Sequence, residues 1–293
     1  MQKIPCICIS ALLLFWGLQG IAQQVAKRIP YRASPDGIIG FLEFRPANYG
    51  SQHHPLIIFL HGTDERGNGR PSEIQSVAAN GIPRLCAAGA SMQFTVNKQT
   101  SSFVVLSPQL SKQYGAWQAF YVKEMIDYAK QQLDIDSNRI YITGLSLGGG
   151  GVWASITSTA ELTRRIAAAA PVCGTQDMVD SNFCSLLGAA HLPIWAFHSA
   201  DDRSVPVQAT EHAEVLGNIC KLNPAIKISY YQAGGHVRTW LNAYDTGHVQ
   251  VLLKDGVKPA PGPNLYEWFL QHTLLNKAAA PAVKTGSAKK KKK

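Results

Sequence analysis

Charge is scarce in this chain: only 16% of its 293 residues are Asp, Glu, Lys or Arg, and the 19 acids are outnumbered by 28 basic residues. No internal repeat is visible, which excludes solenoid and propeller arrays. No cysteine and histidine fall at the spacings of a zinc-binding sequence motif. The longest apolar run, residues 7–18, is too short to cross a bilayer comfortably. What remains is 46% hydrophobic residues, enough for a large core, so the bulk of the chain is a folded domain rather than a disordered one. At this length one α/β domain with one core is the expectation.

The net charge of +9 is mostly local. Seven lysines lie from Lys277 onward with no acid among them, leaving +2 for everything before. Residues 277–293 therefore read as a disordered Lys-rich tail, and nothing points to specific nucleic-acid binding. At the other end, Lys3, the apolar run and Gly20-Ile21-Ala22 read as an export signal, with the mature chain beginning near Gln23. No cysteine follows the run, which argues against a lipid anchor. The domain itself spans 23–276 on this reading. Six cysteines are present; two leave with the signal, and Cys86, Cys173, Cys184 and Cys220 allow three disulfide pairings. Cys173 with Cys184, which bracket a short loop after a strand, is the preferred pair, with buried free thiols as the rival reading.

Strands and helices alternate along the domain. Residues 37–45, 55–60, 103–106, 140–143, 166–172, 193–198 and 226–232 read as strands, several of them apolar throughout, as expected when both faces are covered. Val122, Met125, Ile126, Ala129 and Leu133 recur at helical spacing within residues 117–133, marking an amphipathic helix. Residues 208–220 and 263–275 also read as helices. Trp117 is left as core or pocket wall. The alternation implies a mostly parallel twisted sheet with helices on both faces, the architecture of an α/β fold.

Gly144-Leu145-Ser146-Leu147-Gly148 stands between such a strand and a helix. A Gly-x-Ser-x-Gly turn in that context lifts a serine hydroxyl to the carboxyl edge of the sheet, the nucleophile elbow of α/β-hydrolases. In that fold an acid and then a histidine follow the serine along the chain, each at the end of a strand. Asp201 and Asp202 follow one strand, and His236 follows the next after two glycines. His212 and His272 fall within expected helices, His248 follows no strand, and His61 and His198 precede the acid, so His236 is the candidate base. Ser146 would attack, His236 would take and return its proton, and the carboxylate would fix the imidazole. Backbone N–H groups of Leu147 and of Thr63, in the turn after the 55–60 strand, would form the oxyanion hole. Such chemistry needs no metal or organic cofactor.

PLIIFLHGTDERG, FVVLSPQ followed by Trp117, DSNRIYITGLSLGG, PVCG, FHSADDRSVPV, GGH with Trp240 and Tyr244 downstream, and LYEWFL occur in that order. Together they resemble the bacterial "predicted peptidase" group of α/β-hydrolases, relatives of polyhydroxybutyrate-depolymerase-like and feruloyl-type carboxylesterases, over most of residues 44–275. The resemblance implies the α/β-hydrolase fold, a Ser146, His236 and Asp202 triad, and carboxylic esters as substrates. It selects Asp202 over Asp201 because the group's His-Gly-x-x-Asp-x-x-x-Pro spacing falls on His198, Asp202 and Pro206. Two departures stand out: Ser199 replaces the usual glycine, and residues 245–263 form a longer segment, a candidate lid or pocket wall. The expectation is a secreted serine esterase, with acetyl or feruloyl groups of a polysaccharide as candidate substrates. A peptidase with the same triad and a silent carbohydrate-binding protein are the competing readings. Acyl specificity and oligomeric state are not legible in the sequence.

Overall fold

The apolar run at 55–60 becomes a fully buried strand, His54–Leu60, in the middle of a sheet. In this computed structural model the described residues are 21–174, 183–247 and 262–278. Most of the expected export signal, His248, most of residues 245–263 and almost all of the lysine tail lie outside them. In chain order the strands are β1 (Gln23–Pro30), β2 (Ile38–Arg45), β3 (His54–Leu60), β4 (Gln93–Val96), β5 (Gln99–Ser102), β6 (Val104–Pro108), β7 (Ile135–Leu145), β8 (Ala168–Val172), β9 (Trp195–Ser199) and β10 (Lys227–Tyr231). The helices are α1 (Gly81–Ala87), α2 (Ala119–Gln132), α3 (Leu147–Ile156), α4 (Ala160–Arg164), α5 (Phe183–Ala190), α6 (Gln208–Ile219), α7 (Gly235–Ala243), α8 (Leu265–Leu270) and α9 (Leu274–Ala278).

Eight strands form one sheet in the order β1-β2-β6-β3-β7-β8-β9-β10, while β4 and β5 pair only with each other. The β1–β2 and β2–β6 pairs are antiparallel and the others parallel. All strands from β3 onward within this sheet therefore end at one edge. Side chains alternate across a strand, and here both sets are apolar. Leu56, Ile58 and Leu60 face one core with Val104, Leu106, Ile140 and Ile142, while Ile57 and Phe59 face a second with Val105 and Tyr141. Helices α2, α3, α5 and α6 contribute to the first core, and α1, α7 and α8 to the second. The expected stripe of α2 is buried as spaced, except that Leu133 caps the helix in an extended conformation. Trp117 is core: it is buried against Tyr121 and His61.

Three expectations are corrected. The strand at 140–143 extends back to Ile135, because His54 pairs with Ile135 and the polar residues 136–139 form the irregularity between that pair and Leu56 with Ile140. The closing helix is two short ones, interrupted near His272. The disulfide joins Cys184 to Cys220, with Cα atoms 5.2 Å apart, while Cys86 and Cys173 are free and buried. Proximity in sequence misleads here: Cys173 directly follows β8 inside the second core, whereas Cys184 faces outward on α5 toward the end of α6.

Helix α3 seats on the sheet through glycine. A β-carbon at Gly148 would come within 2.0 Å of the Leu60 carbonyl oxygen, and one at Gly149 within 2.5 Å of that of Val172. Gly148→Ala is expected to cost about 3 kcal/mol or more of unfolding free energy. Gly188→Ala in α5, where the nearest atom is 3.9 Å away, should be neutral or stabilise by up to about 1 kcal/mol. Urea unfolding of both variants checks the contrast. Removing the Cys184–Cys220 bridge, whose ends lie 36 residues apart, is expected to lower stability by about 2–4 kcal/mol, measured the same way.

Candidate active site

Ser146 occupies the turn between β7 and α3 with φ 55° and ψ −120°. A non-glycine residue adopts such a backbone only when its surroundings enforce it. Here the Ser146 N–H donates to the Val172 carbonyl at 3.0 Å, and Gly144 and Gly148 leave no room for side chains beside the backbone of Leu60. The hydroxyl is thereby held at the carboxyl edge of the sheet.

His236 lies in the first turn of α7, and its Nε2 is 2.8 Å from Ser146 Oγ. Its Nδ1 is 2.6 Å from Asp202 Oδ2. The other carboxylate oxygen of Asp202 accepts the N–H groups of Ser204 and Val205 at 2.9 and 3.0 Å. These bonds satisfy a buried carboxylate and orient it toward the ring. The three residues selected along the chain thus form one hydrogen-bonded path, although 90 residues separate the serine from the histidine. Trp240 packs edge-on against the imidazole, with centroids 5.1 Å apart.

Asp201 points elsewhere. It accepts the Ser199 hydroxyl at 2.7 Å and the N–H groups of Gly234 and Gly235 at 3.1 and 2.8 Å. These bonds, the Ser199 hydroxyl first, pull its carboxyl down to about 2. A carboxyl depressed on folding stabilises the native state above the ordinary carboxylate range, and that contribution fades only as pH falls toward 2. Asp201 therefore ties the end of β9 to the turn that presents His236. The serine at 199, unusual at that position, has a defined partner.

His198 is buried under the acid. Its Nε2 donates to the Val205 carbonyl at 2.9 Å and lies 3.4 Å from Asp202 Oδ2, while Nδ1 meets Thr210 Oγ1 at 2.8 Å. Burial keeps its pKa below the usual histidine value. His61 is likewise structural: Nε2 accepts the Leu110 N–H at 2.9 Å and Nδ1 donates to the Gly62 carbonyl at 2.6 Å. Burial pushes it down to about 4, so it is neutral near pH 7. His212 lies in α6 as expected, and His272 between α8 and α9.

The turn carrying Thr63 lies against the elbow, since a β-carbon at Gly62 would sit 3.6 Å from that of Ser146. Arg66 braces it, donating to the Thr63 and Tyr114 carbonyls at 3.0 and 3.1 Å. Gln109 donates to the carbonyls of Glu65 and Glu73 and to Ser76 Oγ, and accepts from the Gly69 N–H. Asn80 donates to Glu65 Oε1 at 2.6 Å. Leu147 opens α3, where N–H groups have no partner within the helix. Sequence reasoning missed the tasks of Asp201, Ser199 and Gln109, and the position of Cys173, whose thiol lies 3.9 Å from the His236 carbonyl oxygen. None carries a local pattern that would announce it.

Solved structures similar to this one include a thermostable esterase, 24% identical with a TM-score of 0.58 over 85% of this chain and 63% of that one. A ferulic acid esterase is 13% identical with a TM-score of 0.51 over 75% of this chain and 94% of that one. At these identities the likeness concerns the fold, which is that of the α/β-hydrolases. Among curated proteins, a bifunctional acetylxylan esterase/xylanase from Neocallimastix patriciarum is 23% identical over 174 residues, 57% of this chain but 22% of that protein. The chain thus spans about a fifth of that curated relative and less than two thirds of the thermostable esterase. The family model for phospholipases and carboxylesterases matches residues 46–239, from the end of β2 into α7 and across Ser146, Asp202 and His236. With well over half its length matched, the chain belongs to the phospholipase/carboxylesterase family of α/β-hydrolases.

Proposed function

We propose that this hydrolase is a serine carboxylesterase with Ser146 as nucleophile, His236 as general base and acid, and Asp202 as the carboxylate that orients and stabilises the imidazolium. The observation that carries the reading is the continuous path from Asp202 Oδ2 through His236 to Ser146 Oγ, at 2.6 and 2.8 Å. As Oγ attacks the ester carbonyl carbon, its proton passes to Nε2 and the carbonyl oxygen becomes an oxyanion. Collapse expels the alcohol, which takes the proton from Nε2 and leaves an acyl-serine. Water, deprotonated by the same nitrogen, then releases the acid and restores the hydroxyl. The N–H groups of Leu147 and Thr63 are assigned to the oxyanion, a task in which each donor is typically worth about a hundredfold to a thousandfold in rate.

The substrate class proposed is an acetyl or feruloyl ester on a polysaccharide, supported by the acetylxylan esterase relative and by the fold shared with a ferulic acid esterase. An exported enzyme suits such a polymer, and the disulfide at the surface fits an oxidising compartment. Ester and amide hydrolysis use the same groups, so paired ester and amide substrates distinguish the esterase from a peptidase.

Ser146→Ala is expected to lower kcat on p-nitrophenyl acetate by roughly five to six orders of magnitude and abolish fluorophosphonate labelling. Asp202→Asn should cost about four orders. Unchanged hydrolysis by Ser146→Ala would refute the enzyme reading, and absence of labelling in the unaltered chain would favour a silent binding protein. Asp201→Asn, which removes an acceptor from the His236 turn, should lower kcat about ten- to a hundredfold. It should leave fluorophosphonate labelling slower but complete.

A further inference from the structure

Cys173 has no part in the hydrolytic path, yet it lies directly beneath it. It directly follows β8 with φ 38°, is fully buried and forms no disulfide. Its Sγ, an Asp202 carboxylate oxygen and a His236 ring nitrogen all lie within 4.8 Å of one another. The ring nitrogen on the Asp202 side is Nδ1. No local spacing could have revealed this set, because its members come from just after β8, the turn after β9 and α7.

A thiolate, an imidazole and a carboxylate are the donors preferred by d10 cations with some affinity for sulfur, and three protein ligands match the count of an open zinc site. Magnesium and calcium take oxygen ligands and have no use for the sulfur. His198 is not a further ligand, since its Nε2–H is committed to the Val205 carbonyl and its Nδ1 to Thr210.

We propose that Cys173, Asp202 and His236 form an inhibitory site for Zn²⁺ or Cd²⁺, bound through Sγ, a carboxylate oxygen and Nδ1. The proposal rests on the triad reading for its inhibitory effect, but not for binding. With metal–ligand bonds of about 2.0–2.1 Å, a tetrahedral ion holds N and O about 3.3 Å apart. The present separation is 2.6 Å, so nitrogen and oxygen must part by less than about 1 Å while Sγ, within 4.8 Å of both, closes to about 3.6 Å. Gly234 and Gly235, at φ 128° and 61°, immediately precede it, and the movement is resisted by the exposed bonds that Asp201 makes to their N–H groups.

The protons balance without any redox change. The S–H bond breaks, an S–metal bond forms and that proton leaves to solvent. The metal takes the Nδ1 lone pair, and the proton formerly on Nδ1 moves to Nε2. Nε2–H then donates to Ser146 Oγ and can no longer accept its proton. The enzyme is switched off by a change of tautomer, with the fold retained.

The test uses the full chain and the bare ions. Cd²⁺ titration should raise an ultraviolet thiolate-to-cadmium charge-transfer band, and micromolar ZnCl₂ should suppress p-nitrophenyl acetate hydrolysis at least tenfold, reversibly with EDTA and not with MgCl₂. Cys173→Ala should hydrolyse the ester at a rate within about twofold of the unaltered chain, lose the band and require at least tenfold more Zn²⁺ for inhibition. His236→Asn should weaken Cd²⁺ binding at least tenfold, which tests the site even where the Cys173 variant does not fold. Ser146→Ala should keep the band, so failure of the catalytic reading and failure of the metal site give different results. No band in the unaltered chain, a band that survives Cys173→Ala, or equal Zn²⁺ inhibition of both proteins overturns the proposal.

Discussion

The backbone of Ser146 is the constraint on which the rest depends. A residue at φ 55° and ψ −120° costs on the order of 1–3 kcal/mol, and it persists because every neighbour has been fitted around it. Its N–H is taken by the end of β8, its flanking glycines let α3 come down onto β3, and β7 delivers it at the centre of the sheet. The strain is local, and the offsetting burial is spread over two cores. On the face of β8 that shares a core with α3 the side chain is Ala169, small enough to leave room for a helix seated at glycine contact.

Around that turn, functional groups are positioned by second partners rather than by their own elements. Asp202 is aimed by the N–H groups of Ser204 and Val205, and His236 is carried by a glycine pair that Asp201 holds. The turn with Thr63 depends on His61, Arg66 and Gln109. Loops at a sheet edge are usually the mobile part of a fold. Here polar side chains, with His61, Gln109 and Asp202 buried and Asp201 exposed, fix them through hydrogen bonds, and such a network rigidifies what it connects.

Much of this was legible in the sequence, for identifiable reasons. Strands covered on both faces announce themselves as unbroken apolar runs, and the stripe on α2 could be read residue by residue because its polar face is intact. That Ser146 and His236 would meet was legible because chain order and strand ends restrict the choice so strongly. The rest depended on contacts with no sequence period. The extension of β7 through polar residues 136–139 follows from pairing with His54 across a bulge, and the Cys184–Cys220 link follows from how α5 lies against α6. Ser199 read as a departure from pattern, and only its bond to Asp201 gives it a purpose.

The adjacent pair Asp201 and Asp202 has one further consequence. The two carboxylates serve opposite sides of the same segment: one clasps the backbone that carries the imidazole, the other grips the imidazole itself. Their assignments rest on a register of single residues between Ser199 and Val205. An insertion or deletion within this stretch would therefore exchange or misdirect both acids at once. The length of this segment is thus as much a part of the site as the side chains it carries.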